Sequence, residues 1–247
     1  MRPEKREGRG EGPDGPVLVH GSVKICGLRE QEHARAAVVA GADLLGFVFA
    51  PARRRVTPEA ARLAIEAARR ASRGRTVLAV GVFVDASAAE MNDVAEAAGL
   101  DLLQLHGVEP AAMLGELTRP VLKALRPSPG TTADAVMELI EGYRAVPNAP
   151  VAFLVDGLSP AAAGGEGVRT DWALAAELAR RVPLMLAGGL DPGNVGEAIG
   201  SVRPRGVDVS SGVETGGVKD EGKIRAFLEA ATGAFGVPRD RGTGRNV

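Results

Sequence analysis

Residues 206–220 read Gly206-Val207-Asp208-Val209-Ser210-Ser211-Gly212-Val213-Glu214-Thr215-Gly216-Gly217-Val218-Lys219-Asp220. An alternating apolar run stops at Ser210-Ser211-Gly212. A polar loop follows, and a helix is predicted to begin near Lys219. Small residues and glycine at a strand's carboxyl end leave backbone N–H groups uncovered, which suits the capture of a phosphate. One unit earlier the pattern occurs again. Leu184-Met185-Leu186-Ala187 is a short apolar strand, Gly188-Gly189 follows, and Asp191-Pro192 reads as a helix opening.

Working outward, the same alternation of short β-rich runs and helical segments extends back through most of the chain. Strands are predicted at Val23–Cys26, Leu44–Phe49, Val77–Val84, Leu102–Leu105, Val121–Leu125, Val151–Val155, Leu184–Ala187 and Gly206–Ser210. Helical spacing of apolar residues marks Ala60–Ala71, Ala88–Ala98 and Ala133–Tyr143. Thr57-Pro58-Glu59 reads as an N-cap with proline in the first helical position. This number of strands, with helices between them in 247 residues, favours one α/β domain closed as a (β/α)8 TIM barrel. The two Gly-rich loops then follow strands 7 and 8, where barrels of this kind hold phosphate. The predicted domain runs from residue 20 to 235. Residues 1–19 and 236–247 are charged and rich in glycine, with little to bury, and read as flexible tails.

Composition narrows the function. A formal net charge of −1 points away from nucleic acid and from acidic membranes. Aromatic residues make up 3% of the chain, too few for a base-stacking surface. The one cysteine, Cys26, precludes an internal disulfide and a cysteine-cluster metal site. No apolar run approaches the ~18 residues of a bilayer span, and Met1–Pro16 has no apolar core like that of a secretory signal. The expectation is a cytoplasmic protein.

Catalytic side chains of a barrel sit at the carboxyl ends of its strands. In order these ends present Cys26-Gly27, Phe49 with Arg53-Arg54-Arg55, Asp85, Gln104-Leu105-His106-Gly107, Arg126, Asp156-Gly157, Gly188-Gly189 and Ser210-Ser211-Gly212. This set holds one thiol, several carboxylates, an arginine cluster and two anion loops. It lacks a His/carboxylate metal set and a strand-end lysine placed for a Schiff base. It implies acid–base work on an anionic phosphosugar, a small-molecule partner, with no metal.

Val23-Lys24-Ile25-Cys26-Gly27-Leu28 resembles the opening motif of the phosphoribosylanthranilate isomerase family of tryptophan biosynthesis. Further matches follow in order: Gly41-Ala42-Asp43 with Gly46-Phe47-Val48-Phe49, Val80-Gly81-Val82-Phe83-Val84, Gln104-Leu105-His106-Gly107, Asp171-Trp172, Ala187-Gly188-Gly189-Leu190 and the Asp208–Glu214 segment. The resemblance implies an Amadori rearrangement without a cofactor, with Asp156 as general acid and Cys26 as general base. It also implies substrate contacts from Lys24, Arg54, Gln104, His106 and Asp208. The phosphate would fall to Gly188, Gly189, Ser210, Ser211 and Gly212. The chain departs from the family at Pro51-Ala52-Arg53-Arg54-Arg55-Val56, one residue shorter than the usual pattern. Anchoring on Val56 makes Arg54 the carboxylate ligand, with Arg53 and Arg55 as alternatives.

Each assignment has a plainer reading. Cys26 can be a small core residue. Asp156 can cap a loop. His106 can be a neutral imidazole bonded to backbone. Asp208 can form a structural ion pair with Lys24, the arginine run can be a solvated loop, and the glycines can serve turns alone. Two other functions compete: an isomerase shared with histidine biosynthesis, and an inactive phosphosugar-binding barrel. The first would lean on a pair of aspartates and lack Lys-Ile-Cys-Gly in strand 1; the second needs neither acid nor base. The pattern fits a monomer or a homodimer.

Overall fold

The structure, a computed structural model, describes residues 18–157 and 170–236. Eight parallel strands close into a barrel in sequence order: β1 (Ser22–Ile25), β2 (Leu44–Val48), β3 (Leu78–Phe83), β4 (Leu102–Leu105), β5 (Val121–Leu125), β6 (Ala152–Val155), β7 (Leu184–Leu186) and β8 (Gly206–Val209). Closure comes from β1 against β8, with Lys24 beside Asp208 and Ile25 beside Val209. The sequence places all eight strands, with no end shifted by more than one residue.

Seven α-helices are described outside the barrel: α1 (Gln31–Ala40), α2 (Pro58–Ala71), α3 (Ala88–Ala98), α4 (Ala133–Arg144), α5 (Trp172–Ala179), α6 (Val195–Val202) and α7 (Glu221–Phe235). Their starts are written locally. Thr57 accepts a hydrogen bond from the Ala60 amide at 3.2 Å, with Pro58 in the first turn. Asp220 does the same for Lys223 at 3.0 Å. Such caps satisfy amides that have no partner within the helix.

Two local expectations are corrected. Between β4 and β5 the connection is a 3-10 helix, Ala111–Glu116, because Pro110 and Pro120 bracket too short a segment for a full α-helix. At Asp191-Pro192 the helix does not yet begin. The Asp191 carboxylate accepts from the amides of Gly193 and Asn194 at 2.7 and 3.0 Å. Asn194 Oδ1 in turn accepts from the Asp191 amide at 2.9 Å. The chain is held in a turn, and α6 starts at Val195.

Alternation along each strand sorts the apolar residues into two layers. Phe47, Phe83, Phe153, Val207 and their neighbours face the helices. Leu44, Val80, Leu102, Leu122, Leu154 and Met185 fill the barrel interior. Each fully buried side chain of this size stabilises the fold by about 1.5–3 kcal/mol. Leu18 belongs to the interior layer and is 2% exposed. Its carbonyl accepts from Arg205 Nε at 2.7 Å. The packed chain therefore begins before residue 20. The rest of the expected N-terminal tail, and the C-terminal tail after Gly236, lie outside the described residues.

Candidate active site

The inward-facing positions just above the apolar interior carry polar groups. On β1 and β8 the register sets Lys24 opposite Asp208. Lys24 Nζ donates to Asp208 Oδ2 at 2.9 Å, and the lysine side chain has no exposed surface. One pleat higher is the buried Cys26. The room for both comes from β2, where Gly46 has no side chain. A Cβ there would lie 2.7 Å from Cys26 Sγ and 3.0 Å from Lys24 Nζ.

Burial pushes the Cys26 thiol above its ordinary value; the Lys24 charge opposes this, Asp208 adds to it, and the net direction is up. Burial also works against the Lys24 ammonium, but Asp208 and Cys26 outweigh it and hold the lysine charged. The cation that a cysteine base requires is thus present directly beneath it. Lys24 and Asp208, both expected to touch substrate, bind each other through Nζ and Oδ2, while Asp208 Oδ1 is buried without a hydrogen-bond partner among the described residues.

Of the three arginines, only Arg54 is buried. Its Nε and Nη2 bind Glu214 Oε1 and Oε2 at 2.6 and 2.9 Å, a bidentate pair. Its stem lies where a Cβ on Gly27 would be, and the Gly27 φ of +75° independently favours glycine there. Arg53 reaches outward to Glu214 Oε2 and the Gly217 carbonyl, both at 2.8 Å. Arg55 is exposed.

Lys219 completes the group, with Nζ 2.9 Å from Glu214 Oε1 and 2.8 Å from the Ser210 carbonyl. Glu214 and Lys219 lie on a small hairpin, β9 (Glu214–Thr215) and β10 (Val218–Lys219). Burial favours the neutral Glu214 carboxyl, but Arg54, Lys219 and Arg53 prevail and lower its pKa to about 2.

Across the rim, Asp156 follows β6, and its amide donates to the Leu125 carbonyl at 3.0 Å. His106 follows β4, with Nε2 3.3 Å from Asp156 Oδ2. The two atoms form no hydrogen bond. Gln104, one pleat below, lies with Nε2 3.0 Å from His106 Nδ1. In this amide orientation the glutamine donates, so Nδ1 accepts and Nε2 bears the proton facing Asp156. His106 is therefore held by a side chain and not by backbone.

The two loops between Asp156 and Cys26 interlock. Gly188 (φ +85°) packs on Thr170, with the Gly157 amide nitrogen 2.5 Å and Asp156 Oδ1 2.8 Å from where its Cβ would be. Gly212 packs directly on the Leu190 carbonyl. The β7–β8 ladder ends at Leu186 beside Val207. Beyond it, the amides of Gly188, Gly189, Ser211 and Gly212 donate no hydrogen bond among the described residues. Ser210 Oγ donates to the Cys26 carbonyl at 3.3 Å, tying this loop to the end of β1. A 3-10 turn, Ser211–Val213, follows β8. The Asp191 carboxylate holds the amides of Gly193 and Asn194 just ahead of α6, whose own first turn has no side-chain cap.

The expected site residues thus gather on one rim, with Lys24, Gln104 and Asp208 one pleat beneath it. Sequence reasoning left out Glu214 as an ion-pair centre, Lys219, Gly46, Thr170 and Glu109. Glu109 is 2% exposed. It binds Lys123 at 2.8 Å and accepts from the Asp85 and Gly107 amides at 3.1 and 2.9 Å, clamping two rim loops from outside. A buried carboxylate in a loop was the one available signal, and burial is not visible in a single polar residue.

A closed eight-stranded barrel with a thiol, a carboxyl and two amide-lined loops on one rim defines an enzyme of the (β/α)8 class. The comparisons then narrow it. The profile described as N-(5'phosphoribosyl)anthranilate (PRA) isomerase matches residues 23–230. An N-(5'-phosphoribosyl)anthranilate isomerase of Roseiflexus castenholzii is 51% identical over 215 residues, covering 86% of this chain and 98% of that one. The crystal structure of the phosphoribosyl anthranilate isomerase from Thermus thermophilus superposes with a TM-score of 0.73 at 37% identity, covering 86% of this chain and 98% of that one. A phosphoribosyl anthranilate isomerase in complex with reduced 1-(o-carboxyphenylamino)-1-deoxyribulose 5-phosphate gives 0.67 at 36% identity, with the same coverage. The chain belongs to the phosphoribosylanthranilate isomerase family.

Proposed function

We propose that the chain isomerises N-(5'-phosphoribosyl)anthranilate to 1-(2-carboxyphenylamino)-1-deoxyribulose 5-phosphate, the activity of its family, with the rim residues in the following roles. One observation carries the assignment. Going round the barrel, Asp156 after β6 and Cys26 after β1 flank the two amide-lined loops after β7 and β8. A phosphate anchored between them would lay the sugar from one group to the other.

The Asp156 carboxyl gives its proton to the furanose ring oxygen as the C1–O bond breaks. The anthranilate nitrogen supplies its lone pair to form the C1=N iminium. The Cys26 thiolate then takes the C2 proton. The C2–H electrons form the C1=C2 bond, and the nitrogen recovers its pair. The enolamine takes up a proton at C1 and loses the one on its C2 hydroxyl to become the ketone, so no external oxidant or reductant is consumed. His106, fixed by Gln104, faces the Asp156 carboxyl on the side away from Gly188. Lys24, fixed by Asp208, supplies the positive charge that favours thiolate at Cys26. Arg54 receives the anthranilate carboxylate, and the amides of Gly188, Gly189, Ser211 and Gly212, with Ser210 beside them, receive the phosphate.

On this reading the partner is a small phosphosugar, the setting is the cytoplasm, and the working unit is a monomer or a homodimer. No helix among the described residues is long and apolar enough to cross a membrane. The test is steady-state turnover of freshly prepared phosphoribosylanthranilate by the wild type and by Cys26→Ser and Asp156→Asn. Each variant should lose at least ~10²-fold in kcat, the scale of a general acid or base, while still binding a product analogue. Near-normal turnover in either variant would remove that residue from the chemistry.

A further inference from the structure

Two rim loops that are far apart in sequence meet over Cys26. The segment after β2 brings Arg53 and Arg54, and the hairpin after β8 brings Glu214 and Lys219. Between them runs the loop after β1, with Gly27 lying under the Arg54 stem. Glu214 is the common partner. Its Oε1 binds Arg54 Nε and Lys219, at 2.6 and 2.9 Å. Its Oε2 binds Arg54 Nη2 and Arg53 Nη2, at 2.9 and 2.8 Å. The Glu214 side chain is 6% exposed. The hairpin closes on the same partners, because Gly217 accepts from Arg53 and Lys223 donates to the Glu214 carbonyl at 2.7 Å.

The geometry points to Glu214 as a positioning residue: it fixes Arg54 by the Nε–Nη2 edge so that the guanidinium's other edge, Nη1–Nη2, is presented beside Cys26 to the carboxylate of the substrate. This rests on the reading of Arg54 as the carboxylate receptor. Three features favour a permanent scaffold over a placeholder that leaves when substrate arrives. Arg53 and Lys219 hold Glu214 even if Arg54 turns away. Its ionised form is favoured far into acid. Releasing it would leave a buried carboxylate short of its bidentate partner. Three cations around one carboxylate also leave a positive surplus, which a second carboxylate can neutralise. Guanidinium forks bind carboxylates through either planar edge, so one arginine can serve both at once.

The experiment compares wild type, Glu214→Gln, Arg54→Ala and the double variant. Two readouts are taken: the dissociation constant of reduced 1-(o-carboxyphenylamino)-1-deoxyribulose 5-phosphate, and competitive inhibition by inorganic phosphate. Losing a charge-assisted pair is worth about one to two decades of affinity. Glu214→Gln should weaken the analogue by that amount, raise KM more than it lowers kcat, and leave phosphate inhibition unchanged. On the Arg54→Ala background it should cost the analogue nothing further. Equal loss of analogue and phosphate, or full additivity in the double variant, overturns the inference. If Glu214→Gln does not fold, Glu214→Asp decides. It keeps the charge but not the reach to the arginine edge, so the same selective loss is expected, and wild-type affinity for the analogue overturns the inference. A wild type that neither isomerises the substrate nor binds the analogue sinks the functional reading and this one with it. A wild type that does both, matched by Glu214→Gln, sinks this inference alone.

Discussion

Replacing Lys24 by methionine removes the charge beneath Cys26 and nearly preserves volume. The lysine side chain is 0% exposed and Asp208 is 8% exposed, so the variant strands a carboxylate inside the barrel. Breaking a buried pair from one side costs ~3–5 kcal/mol. With a urea slope of about 2 kcal/mol/M, the midpoint should fall by about 1.5–2.5 M. Lys24→Met/Asp208→Asn removes both charges and should recover ~1–2 kcal/mol of that loss, since no buried ion is left unpaired.

Stability and catalysis should separate in this pair. Both variants lack the cation opposing the upward push of burial on the Cys26 thiol. In both, the limb of kcat/KM that rises with pH should move to higher pH, and activity at neutral pH should fall by ~10-fold or more, one decade per pKa unit. The lysine also carries a stability signature. Its pKa is raised in the folded state, so its contribution is complete below the unfolded value and fades as pH rises through the folded one. The wild type alone should show that alkaline loss. Urea melts and pH–rate profiles of the three proteins decide the matter. A double variant no more stable than Lys24→Met refutes the stranded-carboxylate argument. An unmoved pH limb refutes the action of Lys24 on Cys26.

Three further outcomes are expected. Gly188→Ala forces a Cβ against Thr170 and toward Asp156 Oδ1; kcat should drop by ~10-fold or more through misplacement of the acid, and normal turnover would show that the loop yields freely. Glu214 has its pKa lowered to about 2 from the 4.5 of an ordinary glutamate, so its contribution is present above the upper figure and lost as pH falls toward the lower. Discounted for solvent at the rim, this is about 1–2 kcal/mol, and a wild-type stability no more acid-sensitive than that of Glu214→Gln between those pH values counts against the cluster. Leu18→Ala empties a position in the barrel interior and should cost ~2–5 kcal/mol in a denaturant melt; a loss under ~1 kcal/mol would mean that Leu18 is not part of the core.

What could be read from the sequence follows from the range of the interactions. Strands such as Val121–Leu125 announce themselves because one apolar run serves both the interior and the helix layer. Thr57 and Pro58 are legible because a cap is settled within four residues. Cys26, Asp156 and the Gly188-Gly189 loop stand out because strand ends are where a barrel does chemistry. The rest depends on distances across the fold. Glu214 is an ordinary glutamate until the hairpin folds it onto Arg54, 160 residues away in sequence. Gly46 marks no turn; its significance is the space it cedes to two side chains of β1. Asp191-Pro192 misled because the same carboxylate that can open a helix can also close a turn on itself through Asn194.

Cys26 is the only cysteine in the chain, and it is buried at the barrel rim with 8% of its surface exposed. A neutral alkylating reagent therefore finds a single target, and reaches it fastest in molecules whose rim has opened. At low reagent the labelling rate reports how often that opening occurs; at saturating reagent it reports how fast. No tag, dye or engineered residue is needed. The unmodified enzyme carries its own clock, which any ligand that seals the mouth should slow, and whose final reading of one adduct per chain counts the working sites in a preparation.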